Sequence, residues 1–156
     1  MPENPDKYHG DFQSGSEEET ALIARNFALR LKPYDFVSVK GPLGAGKTMF
    51  ISAAVSFFCG LNGKDTNVLS PTFSIMNSYD CGTAINHYDF YRLEGVNDLE
   101  NIGFFDSIGK KAITIVEWPE KINCDYKRYV KGDYYSVDIK PGNRHKRHIT
   151  IKKSVF

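Results

Sequence analysis

The spacing of apolar residues changes along the chain, and each change predicts an element. Between Ser16 and Pro33, Leu22, Ile23, Phe27 and Leu31 recur at helical spacing, and Pro33 ends the run. Ser16 and Glu19 form a capping-box pattern, and three acids in the first turn favour a helix N-terminus. Phe36, Val37 and Val39 predict a strand over residues 34–40. A second helical stretch, MFISAAVSFFC, ends at Gly60. LSPTFSIMNSY reads as a strand, DCGT as a turn, and AINHYDFYR as a second extended segment, which together make a hairpin. LEGVNDLENIGFFDSI predicts a short helix plus loop, and AITIVE a buried strand ending in a carboxylate. DYYSVDIK and HITIKK flank a PGN turn as a closing hairpin. Tyr134 and Tyr135 point to opposite faces of a strand, so one of them is expected to be buried.

The pattern implies an α/β start with added antiparallel strands. The chain divides into a loose N-terminal arm, residues 1–15, and one domain, 16–156. A length of 156 residues suits one domain with a sizeable core, without help from disulfides or metal. Hydrophobic residues at 41% and charged residues at 25% exclude whole-chain disorder, collagen and coiled coil. No apolar run reaches the roughly 20 residues of a membrane helix. The polar start, MPENPDKYHGDFQSG, lacks a signal-peptide core. Cys59, Cys81 and Cys124 are odd in number and lack CxxC spacing, which suits buried thiols in a reducing, cytoplasmic setting. The net charge of +1 hides an asymmetry. Residues 1–120 carry ten Lys and Arg against sixteen Asp and Glu, and residues 121–156 carry ten against three. That basic end is a solvated face or a contact for nucleic acid or an acidic protein.

The strongest chemical signal is GPLGAGKT at 41–48, a full G-x4-G-K-[ST] match between a strand and a helix. Such a loop turns backbone N–H groups toward phosphate oxygens from Gly41 through Leu43, Gly44, Ala45 and Gly46 to Lys47, Thr48 and Met49. Lys47 offers an ammonium to the terminal phosphates, and the Thr48 hydroxyl can ligate Mg²⁺. A second carboxylate is needed near the metal, and Glu117, ending AITIVE, occupies the expected strand end. Asp89 is the other candidate, and either residue could orient the attacking water. ATP and Mg²⁺ are the expected cofactors. His87 is expected to pack or hydrogen-bond within its strand. His145 and His148, in NRHKRH, read as a solvated basic turn.

Four blocks in order, GPLGAGKT at 41–48, SPTF at 70–73, HYDFYRLEG at 87–95 and VEWPEKI at 116–122, resemble the TsaE family. This is the small P-loop ATPase of tRNA threonylcarbamoyladenosine synthesis. The likeness covers about residues 16–150. It implies a three-layer P-loop NTPase-like α/β domain with a mixed, partly antiparallel sheet. It further implies slow ATP hydrolysis and action with a TsaD-type threonylcarbamoyl transferase and its TsaB-type paralogue. Contact with tRNA would come through that complex, with no membrane involved, in support of threonylcarbamoyladenosine at tRNA position 37. Carried across, Thr72 would lie in a switch-like loop near the γ-phosphate and Trp118 beside the nucleotide. Thr20 matches a recurrent family threonine near the nucleotide, and Arg147, with Arg144 as substitute, would approach it from the last hairpin. Pro42 stands where the family favours an acid.

Rival readings are less well supported. NHYD at 86–89 and DSIG at 106–109 mimic GTPase motifs, but in the wrong order. A small-molecule kinase would need an arginine-rich lid, and between 49 and 110 only Arg92 occurs. A nucleotide-gated tRNA-binding module would rest on the basic end alone.

Overall fold

The computed structural model describes residues 9–154. Seven strands form one sheet: β1 (Gly10–Ser14), β2 (Phe36–Lys40), β3 (Met76–Asp80), β4 (Ala84–Asp89), β5 (Ala112–Glu117), β6 (Tyr134–Pro141) and β7 (Arg147–Ser154). Their order is β1-β7-β6-β2-β5-β4-β3. The four inner strands β6, β2, β5 and β4 run parallel, and β3, β7 and β1 pair antiparallel at the flanks. The helices are α1 (Glu17–Ala28), α2 (Lys47–Leu61), α3 (Val96–Asn101) and α4 (Phe104–Ile108).

Both faces of the sheet are covered, which makes three layers. On one face α1 and α2 pack with Phe27, Ile51, Val55, Ile85, Ile113, Ile115 and Ile149. On the other, Phe36, Tyr88, Phe90, Phe104, Tyr126 and Tyr134 form an aromatic core with α3 and α4. The Phe36 ring stacks on Tyr134 at 5.2 Å and meets Phe104 edge-on at 6.4 Å. Because the sheet is covered twice, Tyr134 and Tyr135 are both buried, contrary to the expectation that one would be.

Four other expectations need correction. Residues 10–14, assigned to the loose arm, form edge strand β1, in register with β7 from Gly10↔Ile151 to Ser14↔Arg147. Its partner lies at the far end of the chain, and Phe12 is its single large apolar residue, so local pattern carries little signal. Residues 1–8 of that arm lie outside the described residues. The predicted strand from Leu69 begins only at Met76. Pro71 has no N–H to donate to a ladder, and Ile75 sits at φ 67°, a conformation β-branched residues rarely adopt. On α1, Leu22 is 56% exposed, and the buried face is Thr20, Ala24, Phe27 and Ala28. The two alanines let α1 lie close to its neighbours.

Cys59 and Cys81, expected as separate thiols, are joined as a disulfide between the last turn of α2 and the β3–β4 turn. Both are buried as expected, but nothing in their spacing reveals that these two turns meet. Cys124 is a free, half-buried thiol.

Candidate functional site

Parallel pairing brings three strand ends to one edge of the sheet. Val39, just before the glycine-rich loop, pairs with Glu117, and Glu117 pairs with Asp89. The register thus sets the loop and two carboxylates side by side, as at the carboxyl edge of open α/β sheets.

The loop itself depends on glycine at two positions. Gly41 has φ +152°, and a Cβ there would lie 2.5 Å from the Ile139 carbonyl oxygen. Gly46, at φ +101°, is the N-cap of α2, and a Cβ would lie 2.8 Å from Arg147 Nε. The two long helices start differently. The Ser16 hydroxyl accepts the Glu19 N–H at the start of α1, as the capping box predicts, whereas the first turn of α2 has no side-chain cap among the described residues. Lys47, Thr48 and Met49 of that first turn line a cavity, and an uncapped helix start with its positive dipole end suits an anion.

A cavity of about 370 Å³ opens over this loop. It is lined by Leu43, Gly44, Gly46, Lys47, Thr48, Met49, Thr72, Asp89, Glu117, Trp118 and Arg147, all expected from the sequence. Glu17 and Ser70 also line it, and the sequence reading had not assigned them to the site. In the sequence Glu17 stands only as an acid at a helix start, and Ser70 only within the LSPTFSIMNSY strand and the SPTF block.

Lys47 Nζ donates to Gly41 O at 2.7 Å and to Pro42 O at 3.0 Å, and lies 4.0 Å from the Trp118 ring centroid. Burial holds its ammonium below the usual lysine range, opposed by the Glu117 charge. Thr48 Oγ1 donates to Glu117 Oε1 at 3.1 Å. Glu117 Oε2 lies 2.9 Å from His87 Nε2. Asp89 accepts from Tyr91 N at 2.9 Å and from Thr72 Oγ1 at 3.3 Å. Burial raises the Asp89 pKa above its ordinary 3.8, and the Glu117 charge adds to the rise.

Arg147 reaches back to the loop, donating from Nε to Ala45 O at 3.1 Å. Its Nη1 is buried with no hydrogen-bond partner among the described residues. An anionic ligand in the cavity that the arginine lines would relieve that orphan. Trp118, directly after Glu117, stands at φ 58° and packs on Tyr91 at 5.0 Å.

Three expected contributors, and the named substitute for Arg147, are placed differently. Gly41 and Ala45 support the loop from behind through their carbonyls. Thr20 is fully buried, its hydroxyl 2.6 Å from Ser14 Oγ and 3.1 Å from Ser16 O, and it is not among the residues lining the cavity. Strand β1, which the sequence did not predict, supplies the serine that engages it. Arg144, the named substitute for Arg147, lies in the β6–β7 turn and also falls outside the lining.

The donors suit a magnesium nucleotide. A hydroxyl and two carboxylates are hard oxygen ligands, and Mg²⁺ is usually held by one or two carboxylates plus phosphates and water. Among the described residues no three or more His, Cys, Asp or Glu side chains form a metal cage, and such a site needs none.

Comparison with known proteins places the chain among relatives of one description. A family model described as "Threonylcarbamoyl adenosine biosynthesis protein TsaE" matches residues 14–149. The chain is 37% identical over 142 residues to a tRNA threonylcarbamoyladenosine biosynthesis protein TsaE of Rickettsia typhi, covering 90% of this chain and 93% of that protein. A Bacillus subtilis protein of the same description is 38% identical over 106 residues, 67% of this chain and 63% of the relative. The crystal structure of Bacillus subtilis YdiB superposes with a TM-score of 0.70 at 26% identity, covering 94% of this chain and 85% of that one.

Proposed function

The chain belongs to the TsaE family of tRNA threonylcarbamoyladenosine biosynthesis, and on that premise we propose that it hydrolyses ATP with Mg²⁺. That hydrolysis would support threonylcarbamoyladenosine modification of tRNA, together with a TsaD-type transferase and its TsaB-type paralogue. The observation that carries the reading is the uncapped start of α2 beside the Thr48–Glu117 hydrogen bond of 3.1 Å. One pole binds phosphate and the other offers oxygen to a cation, within one cavity.

The free α2 amides and Lys47 would bind the β- and γ-phosphates, with Lys47 leaving the Gly41 and Pro42 carbonyls to do so. Thr48 and Glu117 would hold Mg²⁺. Held by those two residues, Mg²⁺ would supply positive charge against the phosphates. Water attacks the γ-phosphorus, a new P–O bond forms, and the bond to the β,γ-bridging oxygen breaks with its electron pair leaving on ADP. Asp89 is the better-suited acceptor for the proton of that water. Its raised pKa brings it closer to the working pH, while Glu117 is committed to Thr48 and His87. Trp118 packs beside Lys47, and Arg147 offers its unpaired N–H to the nucleotide.

The kinase alternative gains nothing from the fold, since Arg92 stacks on the Phe73 ring at 4.7 Å instead of forming a lid. The test is phosphate release from ATP and Mg²⁺ by the purified chain without any acceptor. A slow rate that rises on adding the transferase and its paralogue is expected. Phosphate transfer appearing only with an added acceptor would establish a kinase instead.

A further inference from the structure

His87 lies wholly inside the protein beside the metal-holding carboxylate, and the cradle described so far does not use it. On β4 it shares a face with Ile85 and Asp89, the face that α2 covers. In the β4–β5 ladder Asp89 stands opposite Glu117 and His87 opposite Ile115, so His87 is the diagonal neighbour of Glu117. Its Nε2 lies 2.9 Å from Glu117 Oε2, with side-chain exposures of 0% and 2%. The ring's other nitrogen, Nδ1, is buried with no hydrogen-bond partner among the described residues.

That asymmetry fixes the tautomer. A carboxylate accepts and does not donate, so the ring proton belongs on Nε2, pointing at Glu117. A proton on Nδ1 would have no acceptor inside the protein and would leave Oε2 facing a bare lone pair. Glu117 therefore has one oxygen tied by His87 and the other turned to Thr48. The backbone of β5 fixes where the glutamate begins, but three side-chain torsions decide where its oxygens end. The histidine donor and the threonine hydroxyl settle those torsions before any metal arrives.

We propose that His87 is a positioning residue for Glu117: its Nε2–H holds the carboxylate in the orientation that receives Mg²⁺ together with Thr48. This rests on the reading of Glu117 as the metal-holding carboxylate. His87 itself touches neither metal nor nucleotide. It acts as outer-shell partners do at metal sites, where they orient a ligand and set its basicity.

The test is calorimetric titration of the full chain with ADP, once with EDTA and once across a Mg²⁺ series. The readout is the Mg²⁺ concentration that half-maximally tightens ADP binding. His87→Leu removes the donor at similar volume, and His87→Gln returns an N–H near the Nε2 position. The leucine variant should need about 10–100-fold more Mg²⁺, while its ADP affinity in EDTA stays at the wild-type value. The glutamine variant should recover most of the loss, which a purely space-filling role would not predict. Should the leucine chain fail to fold, His87→Met carries the same comparison. An unchanged Mg²⁺ requirement in a folded apolar variant would overturn the proposal, as would glutamine losing as much as leucine. Glu117→Gln separates the two layers. If it abolishes the Mg²⁺ effect and His87→Leu does not, the role of His87 alone is wrong. If Glu117→Gln changes nothing, the metal reading fails and takes the His87 proposal with it.

Discussion

Two walls of one cavity are held in opposite ways. On the side of the glycine-rich loop, Ala45, Lys47 and Glu117 are buried, and both Glu117 oxygens have partners. Arg147 and Ile139, from the last hairpin, pack against the backbone of that loop. Facing it, the segment between Asn62 and Ser74 is mostly exposed, with Phe73 at 85%. Its fastenings lie mostly at the surface. Asn77 and Tyr79 bond Leu69, Ser70 and Thr72 share a 2.7 Å hydrogen bond, and Thr72 reaches Asp89 at 3.3 Å. A wall with buried apolar support and satisfied polar atoms opens only with the whole domain. One with exposed hydrogen bonds and little burial opens locally at small cost. The wall of the glycine-rich loop is therefore fixed as folded, whereas the Thr72 wall is the one that opens locally.

The comparison predicts unequal losses. Glu117→Gln should lower ATP turnover by about 100-fold or more, since it removes a buried charge placed for the metal, and should leave ADP binding in EDTA intact. Steady-state phosphate release and calorimetry check the two halves of that statement. Lys47→Ala should weaken ATP binding about 10–150-fold, the equivalent of one charge-assisted contact of roughly 1.5–3 kcal/mol. If either variant behaves like wild type, the cradle is not the working wall.

Thr72→Ala should act differently. Its hydroxyl makes one hydrogen bond across the cavity, so turnover by the isolated chain should fall only about 2–10-fold, with ATP affinity unchanged. An equal loss from Thr72→Ala and Glu117→Gln would erase the distinction between the walls. Hydrogen exchange would sharpen it. Amides of residues 64–74 should exchange faster than those of 47–55 without ligand and slow on adding nucleotide.

The parts of this site legible in the sequence are those that local chain chemistry decides. The glycine-rich loop, Thr48 and the strand-ending Glu117 follow from residue type and neighbours, so the cradle was readable. Contacts set by register were not. The pairing of His87 with Glu117 needs β4 and β5 aligned as diagonal neighbours, and Arg147 meets Ala45 across a separation of 102 residues. Thr20 sits outside the cavity lining for a related reason. Its serine partner arrives on β1, a strand with one large apolar side chain that is paired only by the end of the chain. In the same way, the two-sided core that buries both Tyr134 and Tyr135 follows from α3, α4 and the aromatic cluster, which no alternation within β6 announces.

The smallest expected effect lies where the two walls touch, at Asp89. Burial, reinforced by the Glu117 charge, raises its pKa above 3.8, while the hydrogen bonds from Tyr91 and Thr72 pull it back down. The folded protein therefore holds the Asp89 proton more tightly than the unfolded chain does. Stability that Asp89 contributes is present below pH 3.8 and is lost as pH rises through the raised folded value. The proton-accepting form behaves in the opposite sense, appearing only above that value, so the acid limb of turnover should lie above the ordinary Asp value of 3.8. Thr72→Ala removes one of the bonds that favour the ionised form, and should move that limb to higher pH with no change at the alkaline end. Asp89→Asn should abolish the corresponding slope in stability, read from denaturant melts across the same pH range. A limb that stays fixed in Thr72→Ala would mean that the loop hydroxyl does not reach Asp89 in the working state, and that polar link between the walls would be lost.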